Sequence, residues 1–248
     1  MPTEPPKTTE RIALVTGANK GIGFEIARQL GRSGMTVYVA ARDRGRGSAA
    51  AETLQGEGLS VRFIELDVLR EDTIRQAAAT IEAAHGRLDV LVNNAGIFER
   101  GDGLPSQSDL EAVRRTLLTN FVGPVAIAQA MLPLLRRSPA GRIVNVSSEL
   151  GSLDLNSDPA WGHAWAKFLG YSASKAALNM LTVQLAFELK DTPIKVNSAG
   201  PGYTKTDLND NQGTQTVEEG AAEAIRLALL PADGPTGGFF SSAGPVAW

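Results

Sequence analysis

An α/β domain built on a doubly wound parallel sheet is the fold class this sequence predicts. Three observations carry the expectation. Short apolar, β-branched runs alternate with helix-period stretches along the chain. The runs are almost continuously apolar, which suits strands covered on both faces rather than on one. The first run passes directly into a glycine-rich turn that opens a helix. Right-handed crossovers between parallel strands then put helices on both faces of a single sheet.

In order, strands are expected at Ile12–Val15, Val37–Ala40, Val61–Leu66, Leu88–Val92, Arg142–Val146 and Ile194–Asn197. Helices are expected at about Gly21–Ser33, Arg46–Glu57, Arg70–His85, Gln107–Leu135, Ala173–Lys190 and Val217–Leu229. No repeat, low-complexity block or linker divides the chain, so residues 11–248 are expected to form one domain. Residues 1–10 are rich in Pro, Thr and Glu, with no apolar core, and suit a disordered tail rather than a signal peptide.

Composition narrows the function classes. A net charge of -3 over 248 residues gives no electrostatic reason to expect a nucleic-acid partner. The richest apolar stretch, Phe121–Leu135, is interrupted by Gly123, Pro124, Gln129 and Pro133, so no membrane span is expected. With no cysteine, thiol catalysis and disulfides are excluded, and a cytoplasmic setting is the default expectation. Two histidines, His85 and His163, are too few for a typical zinc site. His85, at a helix end, is expected to pair with the helix dipole. His163 suits a structural role or a substrate contact.

The turn Thr16-Gly17-Ala18-Asn19-Lys20-Gly21-Ile22-Gly23 stands where a phosphate-binding turn belongs. Gly17 permits the tight turn, Gly21 lets backbone approach a pyrophosphate, and Gly23 lets helix and strand pack closely. The helix N-terminus supplies N–H groups and a positive dipole end to the anion. At the end of the second strand, where NAD-binding folds place an acid for the ribose, stands Ala41-Arg42. Arg42 and Lys20 together suit the 2′-phosphate of NADPH; Asp43 as a ribose ligand is the alternative.

The stretch Tyr171-Ser172-Ala173-Ser174-Lys175 sets a phenol and an ammonium four positions apart, on one side of a helix. At ~4 Å and an effective dielectric near 20 their attraction is at most ~4 kcal/mol. That is enough to draw a phenol from about pKa 10 towards neutrality, where a general acid works best.

Together these motifs resemble the short-chain dehydrogenase/reductase family, and more closely its carbonyl-reductase branch, whose fold is the Rossmann fold. The likeness runs from Arg11 to Trp248. It includes the Thr16–Gly23 turn, Leu66-Asp67-Val68, Asn93-Asn94-Ala95-Gly96, Asn120, Asn145-Val146-Ser147-Ser148 and Pro201-Gly202-Tyr203-Thr204-Lys205-Thr206. The branch is suggested by Ala41-Arg42-Asp43 with Arg46-Gly47, by Thr206-Asp207-Leu208 and by Glu218-Glu219-Gly220-Ala221. The resemblance implies an NADPH-dependent reductase of ketones or aldehydes, with Asn120, Ser148, Tyr171 and Lys175 as its catalytic set. It implies dinucleotide contacts from Gly17, Asn19, Lys20, Gly21, Ile22, Gly23, Arg42, Asp67, Val68, Asn94, Ala95, Gly96, Tyr171, Lys175, Pro201, Gly202, Thr204 and Thr206. In that mechanism Tyr171 gives the proton, Ser148 holds the carbonyl oxygen, Lys175 lowers the phenol pKa and binds ribose, and Asn120 anchors a water.

A 3-ketoacyl-thioester reductase would share the whole set, and a non-catalytic NADPH-sensing regulator would share the fold; a sensor has no need of a tuned phenol. The 23 positions from Ser148 to Tyr171 exceed the spacing of tetrameric members of the family. The extra segment, Gly151–Gly170, either walls a substrate cleft or packs over the helix faces used for oligomerisation. The two roles stay open; its apolar groups, Leu153, Leu155, Trp161, Trp165, Phe168 and Leu169, are large enough to cover one helix face, so a monomer is expected.

Overall fold

The computed structural model describes residues 10–248. Of the tail expected over residues 1–10 only Glu10 is therefore described; the rest lies outside the described residues. Eight strands form one sheet: β1 (Ile12–Thr16), β2 (Thr36–Ala41), β3 (Val61–Glu65), β4 (Val90–Asn93), β5 (Arg142–Val146), β6 (Lys195–Gly200), β7 (Phe239–Ser241) and β8 (Gly244–Pro245). Their order is β3-β2-β1-β4-β5-β6-β7-β8, parallel throughout except for the antiparallel β7–β8 pair. The order reverses between β1 and β4. In open α/β sheets that switch point, at the carboxyl ends of the strands, is where ligands bind.

The helices are α1 (Gly21–Arg32), α2 (Arg44–Gly56), α3 (Glu71–His85), α4 (Leu110–Leu117), α5 (Gly123–Leu135), α6 (Leu153–Ser157), α7 (Leu169–Glu188) and α8 (Val217–Ala228). Side chains alternate along β1, and two cores follow from that. Ala13 and Val15 pack with Ile26, Leu30, Leu54, Ala224 and Leu227 on one face. Ile12 and Leu14 pack with Ile74, Ile81, Ile127, Met131 and Leu185 on the other. The sheet is thus covered on both sides, as the continuous apolar strands require.

The structure departs from the sequence expectation at one helix, at two strands and at His85, and the first of these bears on the site. The stretch expected as one helix over Gln107–Leu135 begins at Leu110, with the Asp109 carboxylate accepting from Glu111 N–H, and it carries a π-helical turn over Leu118–Val122. Such turns are rare and gather at functional sites, and this one holds Asn120. The whole helical stretch Leu110–Leu135 is long and apolar enough to cross a membrane by composition, yet its Ile127, Met131, Leu134 and Leu135 are buried in the second core. Strands β7 and β8 were not expected, because three residues between Gly238 and Ser242 carry too short a period to read. His85 ends α3, but burial lowers its pKa and its Nε2 meets the Tyr38 hydroxyl at 3.0 Å. It serves as a hydrogen-bonded neighbour of Tyr38 rather than as a cation on the helix dipole.

Residues Gly151–Gly170 cover less than their composition suggests. Leu153 is 73% exposed and Trp165 69%, whereas Ala166 is buried and Phe168 packs edge-on against Phe98 at 4.9 Å. Leu118, Val122, Met180 and Phe187 of the long helices are exposed as well. Within the segment the Lys167 ammonium donates to the Asn156 carbonyl at 2.8 Å.

Candidate active site

The glycine-rich turn is built by close approach. Gly17 and Gly21 have φ of 63° and 57°, the left-handed region that favours glycine. A Cβ on Gly17 would lie 2.9 Å from the Ala95 backbone, and one on Gly23 would lie 2.3 Å from the Asn94 amide nitrogen. The turn is therefore pressed against the chain leaving β4. Thr16 Oγ1 accepts from Asn94 N–H at 3.0 Å and Ala95 N–H at 3.1 Å, and Asn94 Nδ2 donates to the Thr16 carbonyl at 2.9 Å. The Asn94 side chain, expected at the cofactor, is spent bracing this turn.

The start of α1 differs from those of α2, α4 and α8. Asp43, Asp109 and Thr216 cap α2, α4 and α8 with side-chain oxygens. Lys20, at the N-cap of α1, makes no such bond, and the first turn of α1 carries no acid. Its leading N–H groups thus point out of the turn without a protein acceptor, which fits a phosphate group. Nearby, Asn19, Lys20, Phe24, Arg46, Ala49, Ala50 and Thr53 line an open groove of about 450 Å³. Arg46 was not among the expected site residues. Its place one helical turn inside α2 is visible only once α1 and α2 are packed.

The two cations expected at a 2′-phosphate differ in setting. Arg42 is exposed at the end of β2. Lys20 is paired with Asp207 across the cleft at 2.6 Å. Asp43 accepts from Arg46 N–H at 2.8 Å and pairs with the Arg46 guanidinium at 3.1 Å. With both oxygens so engaged, Asp43 is poorly placed to serve a ribose. Asp67 accepts from Leu69 N–H at 3.0 Å and closes a local turn, while Val68 packs against Gly123, where a Cβ would come within 2.8 Å.

Tyr171, Lys175, Ser148 and Asn120 converge at the carboxyl ends of β4 and β5. Asp102 fixes the start of α7 by accepting from Gly170 N–H at 2.8 Å and Tyr171 N–H at 2.7 Å. Ser148 caps the short 3-10 turn Glu149–Gly151, its hydroxyl accepting from Leu150 N–H at 3.2 Å. Asn120 uses its whole amide: Oδ1 accepts from Ile97 N–H at 2.8 Å, and Nδ2 donates to the Ile97 carbonyl at 2.9 Å and to Ser174 Oγ at 3.0 Å. It clamps the chain after β4 to α7. Gly96 leaves the space between them open; a Cβ there would meet Asn120 Oδ1 at 3.4 Å and Lys175 Nζ at 3.6 Å.

The expectation that Lys175 draws down the phenol pKa is corrected by its direction. Lys175 is buried, and its ammonium donates to the Val146 carbonyl at 2.8 Å, lying 5.6 Å from the centre of the Tyr171 ring. Burial pushes Tyr171 up to about 12, with the Ser148 hydroxyl pulling the other way and Glu149 adding to the rise. Burial also lowers Lys175 to about 8. Each group is thus biased towards its neutral form.

The remaining expected residues form the far wall. Gly202 has φ 66°, Thr204 Oγ1 donates to the Pro201 carbonyl at 2.8 Å, and Thr206 caps a 3-10 turn over Asp207–Asn209. A Cβ on Gly21 would meet Thr206 Cγ2 at 3.7 Å, so this loop faces the glycine turn across the cleft. Ile22 packs into the first core. Among the described residues no group of three His, Asp or Glu could hold a metal ion.

A parallel sheet with a glycine turn and an open helix N-terminus at its switch point, beside a tyrosine–lysine pair, defines a dinucleotide-dependent dehydrogenase fold. Residues 11–216 match the short chain dehydrogenase family model, and the chain belongs to that family. It is 40% identical to an NADPH carbonyl reductase 3 from Rattus norvegicus, over 90% of this chain and 92% of that protein. It is 37% identical to a (+)-neomenthol dehydrogenase from Arabidopsis thaliana, over 94% of this chain and 96% of that protein. Among solved structures, an NADPH-bound carbonyl reductase from chicken fatty liver superposes with a TM-score of 0.84 at 28% identity, covering 96% of this chain and 99% of that one.

Proposed function

We propose that the protein is an NADPH-dependent carbonyl reductase that turns a ketone or aldehyde into an alcohol with Tyr171 as proton donor. The observation that carries this reading is the convergence at one gap: Lys175 and Asn120 border the space that Gly96 keeps open, the Tyr171 ring lies 5.6 Å from the Lys175 ammonium, and Ser148 is close enough to act on the phenol. The names of the rat and chicken relatives support the choice of NADPH. A bound nicotinamide supplies or accepts the hydride. The Ser148 hydroxyl holds the carbonyl oxygen, and the Tyr171 hydroxyl gives it the proton. A phenol held near 12 stays protonated throughout the neutral range, which suits it to the reductive direction. Lys175 carries positive charge at the cleft floor, and Asn120 fixes the distance between that floor and the chain leaving β4.

A panel of ketones, aldehydes, quinones and ketoacyl thioesters assayed by NADPH oxidation tests the reading. Turnover of simple ketones or aldehydes is expected; turnover of thioesters alone would assign a ketoacyl reductase, and tight NADPH binding without any turnover a sensor. The pH profile is a second check. With Lys175 lowered to about 8, the ammonium is present below that pH and lost above it. Reductive kcat/KM is therefore expected to be level between pH 6 and 7.5 and to fall above about 8. A profile unchanged to pH 10 would remove the Lys175 charge from the reaction.

We also propose a monomer, on the strength of the part of the 151–170 segment that packs against α7. Light scattering at micromolar concentration is expected to give a mass near 26.2 kDa. A mass four times larger would mean that the exposed Leu118, Val122, Met180 and Phe187 meet a second copy.

A further inference from the structure

Tyr171 stands in the first turn of α7, where the N–H groups have no acceptor within the helix itself. Phe168, at the N-cap, makes no side-chain bond, and no acid stands in that turn. The three leading N–H groups are taken up by two adjacent residues of the loop between β4 and α4. Leu169 N–H donates to the Gly103 carbonyl at 3.0 Å, and Gly170 and Tyr171 N–H donate to the Asp102 carboxylate at 2.8 and 2.7 Å. Each carboxylate oxygen thus serves one N–H. The result is a charge-assisted helix cap delivered from 69 residues earlier in the chain.

The acid is itself held. Asp102 N–H donates to the Glu99 carbonyl at 3.1 Å, and Gly103 N–H is shared between Asp102 Oδ1 at 2.9 Å and Ser108 Oγ at 3.1 Å. Gly170 lets the helix come down onto this loop. A Cβ there would lie 3.1 Å from Val113 Cα of α4 and 3.3 Å from Asp102 Oδ2. The same loop carries Phe98, whose ring packs edge-on against Phe168 at 4.9 Å and Tyr171 at 5.8 Å. Asn120 grips the start of the loop through both backbone groups of Ile97. The chain leaving β4 therefore fixes the tyrosine twice, by its backbone through Asp102 and by its ring through Phe98. Lys175 lies one turn further on, and its ammonium is tied to the Val146 carbonyl at 2.8 Å. That anchor is on β5 and owes nothing to the cap.

We infer that Asp102 is a positioning residue for the reaction, its carboxylate setting where the Tyr171 hydroxyl stands relative to Lys175 and the substrate carbonyl. Removing it frees the first turn of α7 and moves the phenol, while the ammonium stays in place. An error of about 1 Å in a reacting group can cost about 10²-fold in rate. The consequence for the rate rests on Tyr171 being the proton donor; the placement of its ring does not.

Asp102→Ala is expected to lower kcat for ketone reduction about 10- to 100-fold, with the Kd for NADPH unchanged. Asp102→Asn keeps one acceptor oxygen and should lose less. A double-mutant cycle separates positioning from a general weakening of the fold. In the Tyr171→Phe background, Asp102→Ala should cost nothing further, because the group it positions is gone. A second loss of the same size there would overturn the inference. A readout free of turnover keeps it apart from the reductase reading. With 3-fluorotyrosine at the three tyrosines, Tyr38, Tyr171 and Tyr203, the fluorine signal missing from Tyr171→Phe identifies Tyr171. Asp102→Ala and Asp102→Asn should each shift or broaden that signal and leave the Tyr38 signal alone. An unmoved Tyr171 signal in both overturns the inference whatever the rates, and so does a moved signal with unchanged kcat. If the wild type turns over no ketone, or Tyr171→Phe keeps its rate, it is the proton-donor reading that fails. The fluorine signal then still decides whether Asp102 places the ring.

Discussion

Tyr171→Phe is expected to lower carbonyl reduction by ~10²–10⁴, the usual scale for removing a general acid. The reason lies in how little else the hydroxyl does. The start of α7 is held by Asp102 through backbone N–H groups of Gly170 and Tyr171, which the substitution keeps. The ring packs edge-on to Phe98 at 5.8 Å and faces Lys175 Nζ at 5.6 Å, contacts that a phenylalanine reproduces. Thermal melting and NADPH binding should therefore stay close to wild type while turnover collapses. The loss should appear in kcat, because the proton is transferred in the transition state rather than in the ground state. Near-wild-type turnover in this variant would remove Tyr171 from the chemistry and leave Ser148 or a water as donor.

How far the site could be read from the sequence depends on how local its geometry is. The Thr16–Gly23 turn was legible because the left-handed conformations at Gly17 and Gly21 are written into the residues themselves. The Tyr171–Lys175 pair was legible because four positions on a helix fix a shared side. The direction of Lys175 was not, since its partner is the Val146 carbonyl on β5, 29 residues away in the chain. The same limit hid Arg46, which comes to line one groove with Lys20 only when α2 settles against β3, close enough that a Cβ on Gly47 would strike the Phe63 ring. The π-turn at Asn120 illustrates a second limit: an apolar helical period survives the insertion of one residue, so Leu110–Leu135 reads as an unbroken helix.

Arg42→Asp is expected to turn a preference for NADPH into one for NADH. The wild-type preference follows from the end of β2. Arg42 is exposed there, and the acid that follows it in the chain, Asp43, is engaged at the N-terminus of α2. A charge-assisted contact to a 2′-phosphate is worth ~1.5–3 kcal/mol, or about 10- to 100-fold in affinity. Lys20 adds to it, although it must leave Asp207 to do so. That exchange costs little, because exposed ion pairs contribute about 1 kcal/mol or less. In the variant, a carboxylate repels the 2′-phosphate and accepts from a free ribose hydroxyl, so both effects act in the same direction. The ratio of kcat/KM values for the two cofactors should shift by at least about 100-fold, with Tyr171, Ser148 and Lys175 untouched. The shift should shrink as salt is raised, since an exposed guanidinium and a phosphate are screened over a Debye length of about 8 Å at physiological ionic strength. Equal use of NADPH and NADH by the wild type would sink the role of Arg42, and would move the 2′-phosphate contact to Arg46 or abolish it.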